Sequence, residues 1–462
     1  MADIDKMMLQ SIYDTLFSAY ADPPADLKLQ GTSQNQNIYL SLNWPGQAID
    51  LESFANPQSP ANPNGSEKSV QNFSQLVDRL FSINPITAEN GHTLSKGIYP
   101  LTVKATVTPP PIDEYAKKRY EEAYNFLHAD GTDFDGEGKP ITVKVDSPVY
   151  TNYKRKMDAY NDALTSLIAA YFALDMSKPA DQKQWSLLGP RYISKADSAY
   201  QDWTNAQKAR VEDMLAVEAQ YINNQVGQVF NNAQLQYDKY QRGDISDPNS
   251  VYYPAYAIPA NWFAPSAAST WTSVTLDSKT LKTNEHSDFS KISAGGNASW
   301  GLWHVGGSFD KEDSHVSMSK QTTNLTVSFK FTRVQINRPW YNHLLYSIKG
   351  WSLGNAYKKG GLSSGTRNQP LNTPFPMLPT SFIAVRDLSI KADFSKEDSE
   401  LITSKLKTKA SFGWGPFAIS GGYEHGSSDK KFASSFDGKT LKNEGLQIIG
   451  WLSTIVPECP PQ

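Results

Sequence analysis

The sequence predicts an α+β protein in which an elongated helical domain is followed by a duplicated antiparallel β domain. Apolar residues recur at helical spacing before about residue 246, and they alternate with polar residues after about residue 270. The triple proline at 109–111 ends the first segment, because proline cannot continue a helix interior or a central strand. The predicted segments are a mixed α/β region (1–109), a long-helix domain (110–246), a linker (247–270) and the β domain (271–462).

The composition indicates a folded chain and argues against one class of partner. Of 462 residues, 39% are apolar and 20% are charged, which is enough apolar side chain for a sizeable core. The net charge of −3 argues against nucleic acid, since binding to phosphates needs a strong positive field. Cys459 is the single cysteine, so no intramolecular disulfide is expected. We recognise neither a signal peptide nor a membrane-spanning helix, and expect synthesis as a soluble cytoplasmic protein, with release by a non-classical route left open.

The N-terminal region reads as alternating helices and short strands. A broad apolar face predicts a first helix, carried by Ile4, Met8, Ile12 and Leu16. Alternation predicts a strand over 37–43, and the Asn- and Pro-rich stretch 55–65 predicts a loop. Ser66 is a good N-cap for a second helix, and 97–107 is expected to be another strand.

The second region predicts long helices at 112–128, 148–176 and 196–242. Apolar residues recur about every 3.6 positions from Val211 to Tyr240, which is the period of a straight helix. The expected product is one helix of about 45 residues, near 65 Å long. Its apolar stripe is interpreted as core packing within a bundle.

The third region contains an internal duplication, with units at about 271–339 and 385–457. Each unit is predicted to be about four antiparallel strands ending at a proline, with the two units packed as a sandwich or joined in one long twisted sheet. The matched segments are 274–276 with 388–390, 298–301 with 410–413, and 305–309 with 419–423.

Two segments of the duplicated domain have the character of membrane-contacting strands. Residues 293–309 and 410–423 contain no Asp, Glu, Lys or Arg and are rich in Gly, Ser and aromatic residues. A spanning strand needs only about 9–11 residues, with aromatic side chains at the lipid boundary. An ordinary antiparallel sheet with one wet face has the same alternation. The predicted contact residues are Trp300, Trp303, Val305, Trp414, Phe417 and Ile419.

The step Arg338-Pro339-Trp340 has two interpretations. Trp340 and Trp351 could join the other tryptophans in an aromatic platform for a sugar or a lipid headgroup. Alternatively, Pro339 ends a strand and Trp340 fills the junction between sheet and helices, with Arg338 stacked on it.

The search for catalytic and metal motifs yields only weak candidates. Residues 361–365 match GxSxG around Ser363, but their flanks suit a Gly/Ser turn rather than a strand-to-helix elbow. Asp133, Asp135 and Glu137 are weak candidates for a calcium site, against the alternative of a plain turn between helices. No cofactor is expected.

The Asn/Pro-rich stretch at 55–65, the Arg338-Pro339-Trp340 step, the duplicated units and the Pro-rich C-terminus resemble a family of fungal and bacterial proteins whose motifs carry no assigned chemistry. That resemblance covers most of the chain and implies no catalytic residue. The plan of a helical part joined to a Ser/Thr/Gly-rich β part is also similar to that of several pore-forming toxins.

We therefore expect a non-enzymatic, membrane-interacting or pore-forming, toxin-like protein. Its expected partner is a lipid membrane or a surface glycan, and a homo-oligomer is compatible with this role. The alternative is a soluble glycan- or protein-binding or assembly module without catalytic activity. An enzyme whose site lies between the helical and β domains is a third hypothesis.

Overall fold

The protein has the α+β class that its sequence predicts, with ten α-helices and antiparallel sheets in the residues described. The computed structural model describes residues 4–20, 38–59, 62–107, 114–134, 139–172, 174, 178–222, 226–245, 247, 249–264, 271–281, 303–305, 315–423 and 432–461.

The helices are α1 (Ile4–Tyr20), α2 (Leu51–Phe54), α3 (Glu67–Leu76), α4 (Tyr99–Val103), α5 (Glu114–Leu127), α6 (Pro148–Phe172), α7 (Pro179–Asn205), α8 (Lys208–Ile222), α9 (Val226–Lys239) and α10 (Lys396–Thr408). A π-helical turn (Leu94–Ile98) leads into α4, and a short 3-10 helix spans His343–Tyr346.

The strands are β1 (Ile38–Ala48), β2 (Arg79–Phe81), β3 (Glu89–Thr93), β4 (Thr106–Val107), β5 (His128–Phe134), β6 (Pro140–Asp146), β7 (Arg242–Gly243), β8 (Val251–Tyr252), β9 (Tyr256–Ile258), β10 (Thr272–Asp277), β11 (Trp303–Val305), β12 (His315–Val316), β13 (Thr323–Asn337), β14 (Trp351–Ser352), β15 (Met377–Asp393), β16 (Phe412–Trp414), β17 (Phe417–Gly421), β18 (Phe432–Ala433), β19 (Ser435–Phe436), β20 (Thr440–Asn443) and β21 (Gln447–Ile455).

Two sheets organise the β part of the molecule. The large sheet has the order β1-β21-β15-β13-β10, with β9 added on β13 and β20 on β15, and β19 on β20. The small sheet has the order β12-β11-β16-β17-β18. Ile38 of β1 lies opposite Thr454 of β21, so the segments 1–109 and 271–462 contribute neighbouring strands to one sheet.

The large sheet is covered on both faces, as its alternation requires. Along β15, Ile383 and Val385 join a core shared with the small sheet and α1, while Phe382 and Ala384 join a core shared with α3 and Trp262. The arrangement is therefore layered: small sheet and α1, then large sheet, then a helical and loop cover.

Both copies of the predicted duplication contribute to both sheets. The matched residues Leu276 of β10 and Ile390 of β15 lie on either side of Val327 in β13. In the small sheet, β11 from the first copy pairs with β16 from the second. The two sheets face each other, but the copies interleave instead of stacking as separate units.

Several elements of the N-terminal and β regions follow the sequence pattern closely. α1 buries Met8, Ile12 and Leu16 completely. The hydroxyl oxygen of Ser66 accepts a hydrogen bond from the Ser69 amide and caps α3. These are local signals, and the predicted helix and cap are confirmed.

Three predicted elements are wrong. Residues 97–107 form mostly helix, because Pro100 stands in the first turn of α4, where its missing amide is no loss. The predicted 45-residue helix is interrupted at Gln207, whose φ of +61° is left-handed and cannot continue an α-helix. The second β unit contains α10, which begins after the N-cap Ser395 and carries Glu397 and Asp398 in its first turn.

The helical region packs around two small cores. Leu127, Tyr153 and Val211 join α5, α6 and α8, while Ala163, Leu167 and Ala196 join α6 and α7. Where a plain turn was expected between α5 and α6, β5 and β6 form a hairpin with His128 opposite Asp146 at its base.

Candidate functional site

The small sheet brings together four of the residues that the sequence singles out. Trp303 lies opposite Trp414, and both belong to one buried core with Phe417 and Ile419. Each of these four side chains is 0% exposed. They fill the space between the two sheets, so the protein covers them from water in this state.

Aromatic contacts hold this interior together. The Trp303 ring stacks on Phe412 at a centroid distance of 5.1 Å, and Phe417 contacts Trp414 at 6.2 Å. Phe417 also lies 5.1 Å from Phe329 of the large sheet. Rings in such offset and tilted arrangements contribute about 0.5–1.5 kcal/mol per pair beyond their buried area.

The remaining predicted lipid contacts lie differently. Val305 pairs with Phe412 at the end of β11 and is only partly buried. Trp300 lies outside the described residues.

A buried carboxylate ties the small sheet to α10. Asp398 is 3% exposed, and its Oδ1 accepts a hydrogen bond of 3.1 Å from the indole nitrogen of Trp303. Its Oδ2 accepts from the Ser319 amide at 3.1 Å and from the Thr322 hydroxyl at 2.5 Å. Three donors satisfy one carboxylate, which a buried charge requires. Because α10 directly follows β15, this carboxylate connects the two sheets.

A buried amide makes a second connection on the other side of the small sheet. Gln447 of β21 is 0% exposed. Its Oε1 accepts from the Ala418 amide at 2.7 Å, and its Nε2 donates to the Ala418 carbonyl at 3.3 Å. The side chain thereby replaces a strand neighbour for β17.

Sequence reasoning missed both connecting residues. Asp398 could have been found, because Ser395 and Asp398 have the spacing of a capping box. In a capping box the acid reaches back to the N-cap amide, but here Thr322 Oγ1 accepts from that amide at 2.8 Å and frees Asp398 for Trp303. Gln447 stands in an apolar strand and carries no comparable signal.

Several buried polar atoms of the described residues have no hydrogen-bond partner, and one of them belongs to Trp414. The indole nitrogen of Trp414 is buried and makes no hydrogen bond with any residue described. An unsatisfied buried donor costs about 1–3 kcal/mol. The closed sheet pair therefore carries a local penalty at one of the predicted contact residues.

Trp340 and Trp351 lie in a different core from Trp303 and Trp414, so the structure does not assemble one tryptophan platform. Both are buried, and their indole nitrogens donate to the carbonyls of Pro254 and Ile348. Trp340 fills the junction between α4, α9 and the end of β13, in contact with Tyr99 and Tyr237.

Arg338 is a buried cation beside this junction. Its guanidinium donates to the carbonyls of Pro379 at 2.8 Å and Val77 at 2.6 Å. Burial lowers the pKa of Arg338 to about 10, which leaves it protonated near neutral pH.

Asp78 is the nearby acid that compensates this charge. Its two carboxylate oxygens accept from the Ser95 amide and hydroxyl, each at 2.7 Å. Burial raises the pKa of Asp78 to about 6, although Ser95 and Arg338 favour the charged form. The group therefore titrates close to physiological pH.

Ser363 and Asp133, which the sequence offers as weak catalytic and metal-ligand candidates, take part in contacts that support the fold. Ser363 is 0% exposed, and its hydroxyl donates to the Val456 carbonyl at 2.7 Å. Asp133 pairs with Ile141 in the β5–β6 hairpin, while Asp135 and Glu137 lie outside the described residues. Within the described part of the chain, no three His, Cys, Asp or Glu residues are grouped as metal ligands.

A cleft of about 380 Å³ opens beside α2. Asp50, Glu52 and Glu444 supply carboxylates to its wall, Arg386 supplies a cation, and Phe263 and Tyr423 supply rings. Ligand-binding sites are concave and combine aromatic or apolar walls with a small number of polar groups.

Across the described residues, none of the helices combines the length and the apolar character needed to cross a bilayer. Comparison of the chain with protein-family models, with curated proteins and with solved structures gives no match.

Proposed function

We propose that the protein is a non-enzymatic, membrane-interacting protein that keeps its lipid-contacting surface folded inward until it meets a membrane. The observation that carries this proposal is the pairing of Trp303 with Trp414, which joins one short strand from each of the two charge-free segments in one small sheet. The inner face of that sheet is apolar, and its Trp303, Trp414, Phe417 and Ile419 side chains are fully covered.

A form of the protein that is stored in water must keep these apolar side chains buried, as they are in this fold. Exposed together, Trp303, Trp414, Phe417 and Ile419 would form an apolar patch, and a membrane offers such a patch the same shelter as the large sheet does. Separation of the small sheet from the large sheet would also bring the Trp414 indole nitrogen into the membrane interface, where hydrogen-bond partners are available and tryptophan is enriched.

Strand length bears on how deep the contact goes. β16 and β17 have three and five residues, whereas a spanning strand needs about 9–11. The small sheet thus suits the interfacial layer as it stands. A pore would require its strands to lengthen and several copies of the chain to assemble, which is the form in which a toxin-like activity would arise.

Flotation with liposomes and dye release from them test this proposal. The lipid panel contains neutral, anionic and sterol-containing vesicles, and we expect co-flotation with at least one mixture. V305D is the informative variant, because Val305 is only partly buried and an Asp is unfavourable in the membrane, costing about 2.5–3.5 kcal/mol at the bilayer centre and less nearer the interface. The membrane-bound fraction should fall at least tenfold, whereas the near-isosteric V305T should bind almost normally. Equal flotation of V305D and wild type would contradict the proposal.

A second candidate function is a soluble glycan- or protein-binding module, which the cleft beside α2 favours. Its rings and carboxylates suit a hydroxylated or amine-bearing ligand. A glycan array probed with wild type and with Tyr423→Ala separates this role from the first. Binding that the substitution abolishes, in the absence of lipid, would favour the module; an array without hits and a monomeric sedimentation profile would count against it.

A further inference from the structure

We infer that the hydrogen bond between Trp303 and Asp398 is a latch that holds the small sheet closed against the large sheet. This inference rests on the proposed function in so far as it names what controls exposure of the lipid-contacting surface. The latch itself is a property of the fold and can be measured without a membrane.

The position of Asp398 gives it this role. It stands in the first turn of α10, which follows β15 after Phe394 and Ser395, so it moves with the large sheet. Its Oδ1 holds Trp303, which belongs to β11 in the small sheet. Separating the sheets must break this bond and leave a buried carboxylate short of a donor.

The same carboxylate also fixes the chain that connects the two sheets. Oδ2 holds Ser319 and Thr322, which lie between β12 of the small sheet and β13 of the large sheet. Thr322 in turn accepts from the Ser395 amide. Opening therefore disturbs the cap of α10 as well as the indole bond, so the latch opens cooperatively.

The bonds of Gln447 to Ala418 support β17 from the opposite side. Asp398 is connected to the first copy of the repeat and Gln447 to the second. A change at Asp398 should therefore free β11 and β16 first, and β17 should remain held longer.

Two variants weaken the latch by different routes. W303F keeps an aromatic ring but removes the indole donor. D398N keeps the shape, but the NH₂ group that replaces one carboxylate oxygen cannot accept hydrogen bonds, so at least one of the three donors loses its acceptor. E397Q is the matched control, because Glu397 is the exposed neighbour in the same helical turn and its bond from Ser319 can persist.

Hydrogen exchange of full-length protein measures opening directly. We expect exchange of amides in β11 and β16 to accelerate roughly ten- to a hundredfold in both variants, with β13 and β15 unchanged and E397Q like wild type. If exchange in β11 and β16 is unchanged in both variants, the inference that this hydrogen bond acts as a latch is wrong.

Dye release from the liposomes that wild type binds best then connects the latch to function. Faster release by W303F and D398N supports both the latch and the membrane role. Faster exchange without flotation or release by any variant supports the latch and overturns the membrane role. If D398N does not fold, W303F alone decides through the same two measurements.

Discussion

Asp78 lies in an environment that makes the stability of the fold depend on pH. Its pKa in the folded protein is about 6, above the ordinary value of 3.8, so the folded state binds this proton more tightly than the unfolded state does. Protonation therefore stabilises the fold. Stability contributed by this group should rise as pH falls through 6 towards 3.8 and should be lost as pH rises through 6.

Thermal unfolding of wild type and D78N between pH 7.5 and 5 tests this sign. The difference in Tm between wild type and D78N should shift in favour of wild type by about 1–2 °C at the lower pH, a small shift because the unfolding entropy of 462 residues is large. A Tm difference that does not change with pH would show that Asp78 does not titrate in this range. Other acids and histidines affect both proteins equally, so they cancel in the comparison.

We expect that substitution of Arg338 strongly destabilises the fold. R338M would remove the donors to the Pro379 and Val77 carbonyls and leave Asp78 without its neighbouring cation. Loss of one partner of a buried charge pair lowers the free energy of unfolding by about 3–5 kcal/mol. Denaturant unfolding measures this, and a loss below about 1 kcal/mol would mean that water replaces the guanidinium.

At the scale of elements, Gly413 sets how closely β16 approaches the first strand. A Cβ at this position would lie 2.4 Å from Cβ of Pro45, so the small sheet would have to move away from β1. We expect G413A to lower the free energy of unfolding by about 1–3 kcal/mol. G422A is the matched control, because a Cβ there meets no atom within 4 Å.

Chemical denaturation with tryptophan fluorescence can follow both glycine variants, since Trp303 and Trp414 lie at the affected contact. G413A and G422A unfolding at the same denaturant concentration would show that the sheets accommodate a methyl group at this contact.

Helices and caps that depend on nearby residues could be predicted from the sequence. The break in the long helix and the helix inserted in the β region could not. The apolar face of α1 and the cap at Ser66 depend on local spacing. The break at Gln207 leaves the apolar period almost unchanged, so periodicity does not reveal it. The cap pattern at Ser395 was visible, but the surrounding β-type composition concealed α10.

The candidate site was predictable in composition but not in arrangement. Alternation marks Trp303, Trp414, Phe417 and Ile419 as one face of strands, and it cannot tell whether lipid or a second sheet covers that face. The choice depends on which strands pair, and those pairings join residues more than a hundred positions apart. For the same reason, the sequence could not show that Trp340 and Trp351 lie in a different core from Trp303 and Trp414.

At the scale of the whole molecule, the segments 1–109 and 271–462 share one sheet and should not fold separately. A chain limited to 271–462 would leave the β21 edge without β1 and expose Leu452 and Trp451. We expect this fragment to aggregate when expressed alone and to become soluble when 1–107 is co-expressed. A monomeric, cooperatively unfolding 271–462 fragment would contradict this expectation.

The pairing of β1 with β21 also determines when the large sheet can form during biosynthesis. The Asn43 side chain of the first strand donates to the carbonyl of Ile448, 405 positions further along the chain. A ribosome adding about 5–20 residues per second needs roughly 20–80 s to cover that distance. Throughout this interval β1 has been made and its neighbour has not, so the large sheet closes only after β21 has been made. A nascent chain that stalls before β21 therefore displays an unpaired apolar strand, and chaperones that recognise such strands should be found on it until β21 is made.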